Sequence, residues 1–294
     1  MRNTPWKMKE GFLIGGGLII AGLALELTIG AVDWSAFSWP VNGIVLSGLL
    51  VMLAVMTLLY NKVYAIRYLC TYQAAIPTMV YAVVLTIIMG LTRQTDDGTW
   101  LNNMLTFWPF VLIYVFIAII LGLITLRRLG RLRHHFGLRD ASFLLNHLGL
   151  FMAMVCATLG NADIQRLKLT AIIDEPEWRA IDQEQRIVEL PFMIQLDKFI
   201  METYDDGSPR RFASEIHLIT KSKDSIQATI DVNKPAEIDG WKIYQYSYDT
   251  TMGPMSQISI FELVRDPWLP WVYAGIFMML GGATSMFILA QRKK

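Results

Sequence analysis

Six apolar runs, at about residues 11–32, 41–60, 69–91, 105–126, 141–160 and 269–290, dominate this 294-residue chain. Each approaches or exceeds the roughly 20 residues that a helix needs to cross the hydrocarbon core of a bilayer. Backbone in hydrocarbon must satisfy its own hydrogen bonds, so runs of this length have to be helices. Charged residues make up 17% of the chain, against about 25% in a soluble domain. A polar segment, 161–266, separates the fifth run from the sixth. The sequence therefore predicts a polytopic α-helical membrane protein with six transmembrane helices. One β-rich extracytoplasmic domain falls between helices five and six. The expected divisions are 1–160, 161–266, and 267–294 for the last helix and its tail.

Arg2, Lys7 and Lys9 precede the first run as they would in a secretory signal. That run is about 22 residues long and has no small-x-small site at its end, which predicts a retained helix. Orientation follows from the positive charge of the short loops. One side collects 13 Lys/Arg: Arg2, Lys7 and Lys9, then Lys62 and Arg67, five between 127 and 139, and Arg292, Lys293 and Lys294. The alternate short loops carry Arg93 beside Asp33, Asp96 and Asp97. Both termini are expected in the cytoplasm of a bacterial cell, with 161–266 on the periplasmic side of the inner membrane.

The outer segment holds 12 Lys/Arg against 19 Asp/Glu, a net charge of −7, which offers no basic surface for nucleic acid. Its strands are visible as alternation. Ser225–Val232 alternates with period two, and 215–220, 241–248 and 257–264 have strand composition. Asp205–Pro209 and Met252–Pro254 mark turns. A two-sheet sandwich or an open barrel fits this pattern. The two cysteines, Cys70 and Cys156, both fall in predicted helices, so the outer domain has neither a disulfide framework nor a thiol-exchange site. P-loop, GxSxG, HExxH, CxxC and CxxCH motifs are absent.

His147 stands out against this background. It lies within Phe143–Cys156, roughly 10 Å in from the cytoplasmic end of the fifth helix. An ionisable group at membrane depth is a functional-site candidate by default. A neutral imidazole offers one nitrogen to a metal and the other to a supporting hydrogen bond. Asn146 points about 100° away from it and is not expected to be that support. Physics alone leaves a metal or cofactor ligand and an interhelical hydrogen bonder equally open. Glu26, the other charge at membrane depth, lies near the outer end of its helix and either reaches the interface or serves a function. His217 reads as a surface or structural strand residue, and His134 and His135 as part of a solvated basic loop. Gly15-Gly-Gly17 reads as a close-packing site between helices. Trp241, Tyr244, Tyr246 and Tyr248 read as strand packing, with a ligand path as the alternative.

Several stretches resemble the ResB (CcsB) family of the system II route of cytochrome c biogenesis. Asn233, Pro235, Gly240, Tyr244, Gln245, Ser247 and Tyr248 follow that family's pattern in the strand before its last helix. Arg265-Asp-Pro267 with Val272-Tyr-Ala-Gly275 resembles the approach to that helix, and Asn146-His-Leu-Gly-Leu150 the helix bearing the family's membrane histidine. The likeness is strong over roughly 140–290. Before that, Met89–Gln94 is similar to the forms of Bacteroides-like bacteria, as is Pro176–Ala180. Many family members have four helices and a larger outer domain, so the six helices and compact domain expected here are a departure.

The resemblance implies a subunit that helps carry haem b across the membrane for covalent attachment to apocytochrome c at CxxCH motifs. His147 would be the membrane haem ligand, binding iron axially. The partner would be a CcsA-like membrane protein, sharing the haem and supplying the Trp-rich segment and further histidines that this chain lacks. Two other readings stay open. One is a haem b electron-transfer subunit of a quinol oxidoreductase, which would need two facing membrane histidines. The other is a scaffold without cofactor whose outer domain binds a partner protein.

Overall fold

A computed structural model describes residues 5–95, 98–131, 137–206, 208–220 and 225–291. His134, His135, Arg2, Arg133, Arg292, Lys293, Lys294, Asp96, Asp97 and Gly207, all used in the sequence reading, lie outside the described residues. The chain divides into two compact units, Met1–Ala162 with Trp268–Lys294, and Asp163–Pro267.

The first unit is helical. It comprises α1 (Met8–Ile29), α2 (Val41–Leu59), α3 (Tyr64–Leu69), α4 (Tyr72–Leu91), α5 (Trp108–Arg131), α6 (Leu138–Gly160) and α7 (Leu269–Gln291). All but α3 are long and apolar enough to cross a membrane, so the protein is a multi-pass membrane protein. The short α3 occupies a connection that reads as a plain loop in the sequence, because one and a half turns carry too little periodicity to register.

α5 is the most enclosed of the six long helices and packs against α1, α2, α4 and α6. Small residues make this possible. Gly22 of α1 lies on the backbone of Pro109, and Gly122 of α5 faces Leu53 of α2 and Phe151 of α6. Of the triplet Gly15–Gly17, only Gly15 is pressed hard against a neighbour, the ring of Tyr81, while Gly17 faces open space. The close-packed stripe of α1 is Gly11, Gly15 and Gly22, at helical spacing. α6 and α7 approach still more closely. A Cβ on Gly149 or on Gly275 would meet the other's carbonyl oxygen at 2.5 Å. Without a hydrophobic drive between helices in lipid, such backbone proximity is a main source of association.

The second unit is one antiparallel sheet. Its strands are β1 (Gln165–Ile172), β2 (Pro176–Ile181), β3 (Ile187–Thr203), β4 (Pro209–Thr220), β5 (Ser225–Asp231), β6 (Ala236–Ile238), β7 (Trp241–Tyr248) and β8 (Ile258–Arg265). Their order is β5-β4-β3-β2-β1-β8-β7-β6. The sheet curls until β5 touches β6 and β7, and an Asp231–Lys234 bridge links the ends of β5 and β6. β1 pairs with β8 along its whole length but with β2 only at Lys168–Ile181. Alternate residues of every strand fill a single interior, including Leu169, Phe192, Leu196, Ile216, Ile243 and Phe261. Asp239-Gly240 closes the β6–β7 hairpin with positive φ at both residues, 49° and 79°. That is the backbone a two-residue type I′ turn requires and the reason such turns favour Asp-Gly.

Candidate functional site

α6 begins at Gly137, whose backbone N–H donates to Asp140 Oδ2 three residues on. Its carboxylate also suits the positive end of the helix. From there two stripes diverge. Ser142, Asn146, Gly149 and Ala153 face α7. Phe151, Val155 and Leu159 belong to a cluster shared with α2 and α5. His147 sits one turn before Phe151 and so belongs to the α5-facing stripe.

The His147 side chain is half-buried. Its Nδ1 lies 2.9 Å from the carbonyl oxygen of Phe143. A carbonyl only accepts, so Nδ1 carries the proton and donates. In the neutral ring the lone pair is then on Nε2, the outward nitrogen. The Phe143 ring stacks on the imidazole, with centroids 3.8 Å apart and planes 19° from parallel. Arg128 of α5 lies over the Phe143 ring, its Cζ 5.2 Å from the centroid, and its guanidinium forms an ion pair with Asp140. The imidazole is thus oriented by its own helix through a backbone bond and a ring stack. A metal-ligating histidine is commonly held in this way, its second nitrogen bonded to a carbonyl or carboxylate.

Asn146 does not take part. Its Nδ2 donates to Ser142 O at 2.9 Å and contacts Met286 of α7. Among the described residues no group of three or more His, Cys, Asp and Glu is arranged to hold a metal ion. A group that needs one imidazole from this chain fits the residues present, since Nε2 is oriented and uncommitted.

The other polar candidates resolve into structural roles. Glu26 is buried, and its Oε2 accepts from the backbone N–H of Trp108 at 3.1 Å. Trp108 is the first residue of α5, so Glu26 caps a neighbouring helix and neutralises its positive end. Asn42, fully buried, donates to the carbonyl of Leu159 at 3.0 Å. His217 Nδ1 lies 2.5 Å from Asp197 Oδ2 on the sheet, where Asp197 occupies a bulge between Leu196 and Lys198. Trp241 is buried in the sheet interior. Tyr248 stacks on Phe199 at 5.0 Å, and the exposed Tyr246 carries Lys168 over its ring at 4.0 Å. Cys70 and Cys156 form no disulfide.

Gln245 has a role that composition did not suggest. Its Oε1 accepts from Ser214 Oγ at 2.6 Å, Ser214 Oγ lies 2.7 Å from Ser259 Oγ, and its Nε2 donates to Ser247 O at 3.0 Å. A bulge between Gln245 and Ser247 makes that last bond possible.

The solved structure of the cytochrome c heme lyase CcmF aligns with 97% of this chain at a TM-score of 0.40 and 14% identity. The chain spans 46% of that protein's length. Comparison with curated proteins returns no match. Residues 137–257 match the ResB-like family, a span that takes in α6 with His147 and all the strands but β8.

Proposed function

We propose that the protein is the ResB-like subunit of a system II cytochrome c synthase. It helps move haem b across the membrane and deliver it to apocytochrome c at CxxCH motifs. Haem is its cargo, and His147 provides one axial ligand to the iron. The observation that carries this reading is the imidazole inside a membrane-length helix, with Nδ1–H engaged by Phe143 O and Nε2 left for a ligand. The family match over residues 137–257 supports it.

One histidine provides half of an axial pair, so a CcsA-like partner supplies the other half and the external haem-handling residues. The surplus of Lys and Arg on one set of loops supports an orientation in a bacterial inner membrane with both termini in the cytoplasm and the β-sheet on the periplasmic side. His147 then lies toward the cytoplasmic leaflet, where haem would be received.

The test is the haem content and cytochrome c maturation of the complex purified with its partner. His147→Gly is expected to remove the haem Soret band, and imidazole added to the cavity is expected to restore it. Full haem loading and maturation with His147→Ala would overturn the assignment.

A further inference from the structure

Helical threonines usually donate their hydroxyl to a carbonyl of the preceding turn. Thr28, Thr57, Thr78, Thr86, Thr158 and Thr284 all do so here, at 2.8–2.9 Å. Thr125 does not. It is 5% exposed, and its Oγ1 is buried without any hydrogen-bond partner. Three residues on, along the same face of α5, the Nε of Arg128 is also buried and without a partner. Asp197 Oδ2 is the third such atom among the described residues, and it at least abuts His217. Leaving a buried donor unmade costs about 1–3 kcal/mol, and more for a charged group. Two of them one turn apart therefore call for an explanation.

Their position supplies one. Tyr114 near the start of α5 and Thr158 near the end of α6 line one cavity. At the other end of α5, Arg128 meets Asp140 and Phe143 of α6. These contacts fix an antiparallel register between the two helices. Equal steps along both bring Thr125 opposite His147. Both face the partner helix, since Tyr114, Thr125 and Arg128 share one stripe of α5 and Phe143, His147 and Thr158 one stripe of α6.

A nitrogen lone pair, a hydroxyl and a guanidinium N–H thus lie within about one helical turn of one another on the facing stripes of α5 and α6, each without a hydrogen-bond partner. Haem presents an iron that takes the first and propionate carboxylates that accept from the other two. We propose that Arg128 Nε and Thr125 Oγ1 hold a propionate of the haem ligated by His147, making them positioning residues for the cargo. The inference rests on the proposed function and adds to it the part of haem that the site reads.

The test compares protohaem with its dimethyl ester, which keeps the iron and porphyrin but has no carboxylate. Both are titrated into the full-length chain purified with its CcsA-like partner and followed by the Soret band. A charge-assisted pair is expected to make the wild-type chain favour haem over the ester about ten- to hundredfold. Arg128→Gln is expected to erase most of that preference, and Thr125→Val to reduce it severalfold. Asp140→Asn removes the Arg128 ion pair but keeps the guanidinium, and is expected to retain the preference; a purely structural Arg128 would lose it in both variants. An unchanged haem-to-ester ratio in Arg128→Gln overturns the inference, as it would if Arg128 served only lipid phosphate. A His147-dependent Soret band with that unchanged ratio overturns this inference alone. A chain with no His147-dependent band overturns the proposed function and this inference together.

Discussion

The interior of the sheet and the α5–α6 seam treat buried polar groups in opposite ways. Inside the sheet, Ser214, Gln245 and Ser259 lie at 0%, 8% and 0% exposure, and their polar atoms bond to one another or to the Ser247 carbonyl. Between α5 and α6, Thr125 Oγ1 and Arg128 Nε are buried and bond to nothing. A satisfied buried network fixes which strands meet and in what register. An unsatisfied pair stabilises nothing in the protein alone and persists as capacity held for something else. The difference separates polar groups that build the fold from those that serve a ligand, even though both are equally hidden in the sequence.

Two substitutions set that contrast against measurement. Gln245→Ala removes a bonded side chain from a closed interior, leaving a cavity and taking from Ser214 one of its two partners. A loss of about 2–4 kcal/mol is expected, read as a lower thermal midpoint of the purified protein. Thr125→Val deletes a hydroxyl that bonds to nothing and replaces it with a methyl of similar size. Its expected effect on stability is neutral to favourable, up to about 1 kcal/mol, and it is expected to weaken haem binding. A stability gain coupled to a loss of function marks a site kept unsatisfied for its ligand. If Thr125→Val instead destabilises as much as Gln245→Ala, the hydroxyl is structural and the contrast between the two regions collapses.

Much of the fold was legible because its signals are one-dimensional. The six long helices follow from length and apolarity, and β5, β7 and β8 from alternation and composition. β1 is equally legible, with Leu167, Leu169 and Ala171 turned inward at every second position. β3 was harder. Pro191 interrupts it, and bulges at Asp197 and near Thr203 break its period, so its 17 residues never read as one strand. His147 could be found from composition, since a histidine in an apolar run is rare. Thr125 and Arg128 could not. A threonine in a helix is unremarkable, and Arg128 counted only as one of several loop cations. Their meaning depends on the register between two helices, which no local pattern encodes. Glu26 was visible as a charge at depth, but its use as a cap for α5 depends on a contact with Trp108, 82 positions away.

The smallest expected effect concerns the sheet surface, where polar groups are again satisfied but solvent competes. Glu177 accepts from the backbone N–H groups of Trp178 and Arg179 and from the Arg179 guanidinium, all at 2.9–3.0 Å. The Arg179 side chain is the main reason that its carboxyl is held at about 2, against an ordinary 4.5. A folded-state value below the unfolded one means that the charged form stabilises the fold. That contribution is fully present above about pH 4.5 and is lost as pH falls through about 2. The Arg179 side chain is 55% exposed, so water and salt screen most of the pair's energy. Glu177→Gln is therefore expected to lower the thermal midpoint slightly at neutral pH, less than Gln245→Ala does, and the two proteins should converge as pH approaches 2. High salt should narrow the neutral-pH difference, whereas the Gln245→Ala deficit should be insensitive to salt, because its bonds are buried and uncharged. A Glu177→Gln difference that persists at pH 2 would assign the effect to packing and not to charge.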